Sequence, residues 1–179
     1  MAQSDAPLRS RDRFRLVVAD SQPLYFSVDE AGFVTVPLAG SVRVAGLSPA
    51  AAARAVQERY AAVARVVDVG FIPLRRVVVG GEVMKPDVLY VENGTTLAEA
   101  IVLAGGATLL ADKRRVELWR DGARRERFTM ASSAVRVATV TSGDEIVVQR
   151  APWVARNANV LLTVVTSIAS VAVILITSQ

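Results

Sequence analysis

From Val160 to Ile176 the chain carries no charged side chain, yet hydroxyl groups recur through the stretch. A run of this kind is either a core helix of a soluble fold or a membrane element, so it limits every architecture open to the rest. On an ideal helix at about 100° per residue, Asn159, Thr163, Thr166, Ser170 and Thr177 fall within an arc of roughly 60°, with Ser167 beside it. The remaining surface is Val, Leu, Ile and Ala. The uncharged run is ~25 Å long, short for an average hydrocarbon layer of ~30 Å and suited to a thinner one such as the bacterial outer membrane. A lone helix with this stripe is a modest anchor, because each hydroxyl subtracts from insertion; burial against identical copies, or against water they enclose, removes that subtraction. Three readings stand at this point: a pore wall, a simple anchor or packing face, and a buried soluble helix.

The residues before this stretch read as a soluble body. At 179 residues and 52% apolar content the chain can bury a core as one or two small domains. It has neither Cys nor His, which removes thiol nucleophiles, disulfides, the usual zinc sites and the commonest general base. The net charge of +4 comes almost wholly from arginine, since Lys85 and Lys113 are the sole lysines. That balance suits an anionic partner, although arginine richness also follows from codon bias. Met1 to Pro7 has no apolar core, so it is no secretory signal and suits a terminus left after cleavage. Arg150 and Arg156 precede the apolar run as positive flanks or interfacial anchors, and Trp153 between them fits an interfacial aromatic or a core tryptophan.

In chain order, residues 14–18 form an expected strand, 24–28 and 33–38 a hairpin across Asp29-Glu30-Ala31-Gly32, and 41–44 a short strand between glycines. Ser48-Pro49 opens a helix to about Ala64, with Ser48 as N-cap and Ala52, Val56, Tyr60 and Val63 on one stripe. A strand over 66–72 closes this unit, and Pro73 marks the exit. A second unit reads as strands at 75–79 and 88–91, a helix at 97–104 stopped by Gly105-Gly106, a hairpin of 115–120 with 124–128, and strands at 135–140 and 145–149. The expected fold class is α+β. It has a tail at 1–7, a small domain at 8–73, a β-grasp-like domain at 74–151, a linker at 152–158 and an amphipathic helix at 159–179.

Gly80-Gly81-Glu82-Val83 with Lys85-Pro86, then Leu97-Ala98-Glu99-Ala100-Ile101 and Ala104-Gly105-Gly106, resemble the SLBB (soluble-ligand-binding β-grasp) domain. Upstream, Asp12 before a strand, Val28-Asp29 with Gly32, Val36-Pro37-Leu38-Ala39-Gly40 and Val42 to Ser48 resemble the polysaccharide export domain of Wza-type exporters; Gly143 to Val148 also fits. These motifs span most of residues 8–150. The resemblance implies a non-enzymatic, ring-shaped homo-oligomer, often an octamer, that passes capsular or extracellular polysaccharide through the outer membrane, with its domains in the periplasm. It implies no cofactor. Carried over, Asn159, Thr163, Thr166, Ser170 and Thr177 would line the pore. Arg150 and Arg156, near its base, are on charge grounds expected to form positive rings that attract an anionic polymer. An inner-membrane co-polymerase is the implied partner. The chain departs from the pattern in lacking a lipidated N-terminal Cys, in having Pro86-Asp87 for a Pro-Gly turn, and in carrying one SLBB unit. The competing class is a tail-anchored adaptor whose SLBB domain binds a soluble ligand or a protein.

Other constellations read as structural. Asp29-Glu30 and Asp144-Glu145 sit in turns, and adjacent residues of a strand point to opposite faces, so neither is an acid–base pair; no catalytic or metal site is expected. Lys113, Arg114, Arg115, Arg120, Arg124, Arg125 and Arg127 lack the interleaved aromatics of a base-stacking surface apart from Trp119 and Phe128. They are expected to be a solvated hairpin face, with no nucleic-acid partner.

Overall fold

The computed structural model describes residues 6–18, 22–63 and 69–153. The terminal segment 159–179, with Asn159, Thr163, Thr166, Ser170 and Thr177, and Arg156 before it, lies outside the described residues. Nine strands and three helices follow in the order β1 (Arg13–Val18), β2 (Leu24–Ser27), β3 (Phe33–Val36), β4 (Gly40–Arg43), α1 (Pro49–Ala61), β5 (Val69–Gly81), β6 (Asp87–Glu92), α2 (Leu97–Leu103), β7 (Ala111–Arg120), β8 (Ala123–Phe128), α3 (Ala134–Val137) and β9 (Glu145–Arg150) among the described residues.

The axis of the molecule is β5, thirteen residues long. Its first half pairs antiparallel with β1, from Val18↔Val69 to Arg13↔Leu74, and its second half pairs antiparallel with β6, from Leu74↔Glu92 to Val79↔Asp87. Val78 to Gly81 also pair parallel with β9. Leu74 is shared by β1 and β6, and Val78 by β6 and β9, so β1 and β9 lie end to end along one edge of β5 while β6 takes the other. The result is one seven-stranded sheet in the order β2-β1-β5-β9-β7-β8, with β6 off this path; β3 and β4 make a separate ribbon.

Alternation along β5 sets two apolar clusters on the same face. Phe71 packs with Phe14 and Leu16 of β1, Val34 and Val36 of β3, and Ala52 and Val56 of α1. Tyr60 meets Phe71 edge-on at 5.5 Å between ring centroids. Val77 and Val79 pack with Val116, Leu118, Ile146, Val148 and the buried side of α2. Each fully buried aliphatic or aromatic side chain of this kind contributes about 1.5–3 kcal/mol. Both longer helices start where the sequence places them: Ser48 caps α1 through Ala51 N, and Thr96 with Glu99 forms a full capping box on α2.

Three expectations fail. Pro73 does not end a strand but sits inside β5, opposite Phe14. The stretch 24–28 does not form a hairpin with 33–38; β2 pairs with β1, and only the bridge Val28↔Val34 links it to the β3–β4 ribbon. Residues 135–140 hold the single turn α3 and a bridge at Thr139 instead of a strand. There, the helical turn buries Val135 while exposing Val137, whereas a strand would put Val135 and Val137 on one face.

Candidate functional site

The two clusters meet at a polar junction built from residues far apart in the chain. Two equivalent turns deliver it. Before β1, Asp12 Oδ2 accepts from Arg9 N at 2.8 Å, and Arg11 holds φ 70°. Before β9, Asp144 Oδ2 accepts from Thr141 N at 2.7 Å, and Gly143 holds φ 83°, a left-handed conformation that glycine adopts without strain. The turns abut. Ser142 Oγ donates to Asp12 Oδ2 at 2.6 Å, and Arg76 N of β5 donates to Asp12 Oδ1 at 2.7 Å. Asp12 thus fills the gap between the ends of β1 and β9 and satisfies the backbone N–H that neither strand reaches.

Around this contact the charges pair off. Arg120 on β7 grips Asp144 through two bonds of 2.6 and 2.8 Å, and Arg9 reaches Asp121 at 2.6 Å. Arg75, fully buried between the apolar clusters, donates to Asn93 Oδ1 at 3.2 Å and to Ala6 O at 2.9 Å. Asp12 is fully buried as well, and burial pushes its carboxyl above the usual range despite the donors from Arg9, Ser142 and Arg76 and the nearby Arg75 charge. Asp121 shows the opposite case: the Arg9 guanidinium holds its carboxyl below the usual range.

A groove of about 740 Å³ opens beside the junction, between the β6–α2 connection and β1. Leu74, Val91, Ala98, Val102 and Leu103 supply apolar walls, and Arg15, Glu92, Asn93, Thr95 and Glu99 line it with polar groups. Arg15 pairs with Glu92 across the two halves of the molecule, and the Arg13 guanidinium lies 3.8 Å over the Tyr90 ring. Sequence reading missed this groove because its walls come from β1, β5, β6 and α2, whose adjacency follows from the unbroken β5.

The carboxylate pairs are structural. Asp29 accepts from Phe33 N at 2.8 Å within its turn, and Asp144 is buried under Arg120 while Glu145 is exposed. Among the described residues, no group of three or more His, Cys, Asp or Glu side chains is placed to hold a metal ion. The arginine hairpin is partly inward-looking: Arg124 and Arg127 both reach the buried Glu117 at 3.4 Å, and Gln149 donates to it at 3.2 Å. Arg150, at the end of β9, is exposed and lies 3.6 Å from Glu82. Among the described residues, no helix is long and apolar enough to cross a membrane.

This geometry belongs to an α+β chain in which two family models match in tandem. The Polysaccharide biosynthesis/export protein model matches residues 1–70, and the SLBB domain model matches residues 76–129. The first is a transport family of the bacterial envelope, not an enzyme family. Together the two matches are those of a polysaccharide export protein of the Wza type. Comparison with curated proteins gives no match.

Proposed function

We propose that this protein is the repeating subunit of an oligomeric outer-membrane conduit for capsular or extracellular polysaccharide. The export and SLBB modules build a ring in the periplasm, and the 159–179 segment of each copy contributes one helix of a barrel through the membrane. The observation that carries this reading is the tandem of family matches followed by an uncharged, hydroxyl-striped end. Stacked copies would turn Asn159, Thr163, Thr166, Ser170 and Thr177 toward enclosed water and the aliphatic side chains toward lipid. Such a wall offers a hydrated glycan weak hydrogen bonds in exchange for water, so it binds loosely and lets the polymer slide. Arg150 and Arg156 would ring the base and attract an acidic polymer. The ring, an octamer in this reading, receives its polymer from an inner-membrane co-polymerase and carries out no catalysis.

A second reading has one observation in its favour. The groove beside α2 is large enough for a small ligand, as in a tail-anchored adaptor whose SLBB module senses a soluble molecule or a partner protein. Electron microscopy of the detergent-solubilised full-length protein separates the two. Rings with a density-free centre are the expected result. Monomers or dimers in several mild detergents would sink the conduit and favour the adaptor.

A further inference from the structure

One end of the SLBB half gathers apolar side chains that are exposed among the described residues. The segment after β5 runs back beside the loop after α2: Met84 N donates to Gly106 O, Lys85 N to Ala104 O, and Thr108 N to Glu82 O, each at 2.9–3.0 Å. This brings Met84, Leu103 and Leu109 to one end, with relative exposures of 64%, 59% and 102%. Leucine side chains left fully in water beside other apolar groups mark a contact surface. The chain leaves the sheet at the same place. Ala151 N donates to Leu110 O at 2.8 Å, and two residues on stands Trp153, 56% exposed. The residues that follow lead directly into the uncharged run from Val160.

Charge is placed to match. Both lysines of the chain, Lys85 and Lys113, flank this end together with Arg114 and Arg150, all exposed. Three carboxylates oppose them: Glu82 is engaged by Arg150 and by the Thr108 hydroxyl, which donates at 2.7 Å, Asp112 accepts from Arg114 N at 3.0 Å, and the exposed Asp87 accepts from Val88 N at 2.7 Å. An apolar patch rimmed by cations, with a tryptophan at the exit toward an apolar segment, has the chemistry of a bilayer interface: aliphatic groups enter the acyl boundary, indole sits at headgroup level, and ammonium and guanidinium groups meet phosphate.

We propose that this end of the SLBB half, carried by Met84, Leu103, Leu109 and Trp153, rests in the headgroup region of the membrane that the terminal segment enters. The inference rests on the reading of 159–179 as a membrane span. It fixes the orientation of the soluble body: α2 and the loops at 82–85 and 104–111 face the lipid surface, while the export half with its β3–β4 ribbon points away from it. The short connection from Ala151 then holds the body against the bilayer instead of letting it hang from a tether.

The absence of native cysteine makes the test direct. Full-length Leu109→Cys, Leu103→Cys, Glu30→Cys and Ile168→Cys variants are each labelled with an environment-sensitive fluorophore. They are reconstituted into vesicles of phosphatidylethanolamine and phosphatidylglycerol containing spin-labelled lipid. The expected result is a blue shift and loss of most emission at positions 103 and 109 with a headgroup-proximal quencher, loss at 168 with a deep one, and no loss at 30. Quenching at 168 while 103 and 109 remain open to aqueous iodide would overturn the orientation and leave the span intact. Shielding of 103 and 109 from iodide without lipid quenching would also overturn it, since a second copy would then cover the patch. Failure of quenching at 168 would remove the membrane reading itself, and the inference with it.

Discussion

Asp12 concentrates the energetics of the junction in one side chain. Its two oxygens accept from Arg9 N, Arg76 N and the Ser142 hydroxyl, and the two backbone contacts require an acceptor. In Asp12→Asn, an amide that keeps its oxygen toward Arg76 turns its NH₂ toward Arg9 N. The Ser142 hydroxyl can rotate to accept, but the backbone N–H cannot. One buried donor is orphaned, at a cost of about 1–3 kcal/mol, which a lowered urea midpoint at unchanged slope will show. The pH dependence has a definite sign. Because burial raises the carboxyl in the folded state, the folded protein binds this proton more tightly than the unfolded chain does. Between the ordinary carboxylate value and the raised folded value, the contribution of Asp12 to stability therefore falls as pH rises, and it is recovered on acidification. The lowered carboxyl of Asp121 acts oppositely, its stabilisation present above the ordinary value and lost as pH falls. Subtracting the Asp12→Asn stability curve from that of the wild type isolates the first slope; a difference that rises with pH would contradict the assignment. At this scale the sequence is legible for Ser48 and the glycine turns, whose roles are local. Asp12 reads only as a residue before a strand, because its partner Ser142 lies 130 positions away.

The strand β5 shows why element boundaries were harder to read than element types. Proline normally closes a strand because it removes a ladder donor. In β5, Arg76 N and Val78 N both point to the β1–β9 side, toward Asp12 and Asp144. By alternation, the nitrogen of residue 73 points to the opposite side, where the last partner on β6 is Glu92, opposite Leu74. Pro73 lacks a donor at the one place along the strand where none is needed. Hydropathy cannot reveal that parity, and so residues 66–72 and 75–79 looked like strands of separate units. Pro73→Ala is accordingly expected to change stability by less than about 1 kcal/mol, since no ladder bond is gained or lost. Val77→Pro, four residues on and facing β6 in mid-pairing, removes a bond inside the ladder and is expected to cost about 3 kcal/mol or more, or to prevent folding. Equal tolerance of the two prolines in chemical denaturation would refute the parity argument. The misread turn α3 has the same origin: its buried Val135 reflects packing on α2, a contact between elements some thirty residues apart that local pattern does not encode.

For the whole molecule, the question is whether two apolar clusters with no residue in common behave as one body. Matched family segments suggest two modules, yet the sheet passes between them unbroken, and the junction makes separation costly. Opening the export half alone would strip Asp12 from Ser142 and Arg76, take Ala6 O from the buried guanidinium of Arg75, and release Arg9 from Asp121. Each buried donor or acceptor stripped of its bond costs about 1–3 kcal/mol, and several lost together are comparable with much of a small domain's total stability. Local opening of either half therefore gains little over complete unfolding. Native-state hydrogen exchange tests this at the two strands that lie end to end on β5. Amides in β1 and in β9 are expected to share one opening free energy in the wild type. In Asp12→Ala with Ser142→Ala, β1 should open at lower free energy than β9, because the link is cut while each cluster remains. Wild-type β1 amides that already exchange through a cheaper opening would show two independent modules joined by a strand.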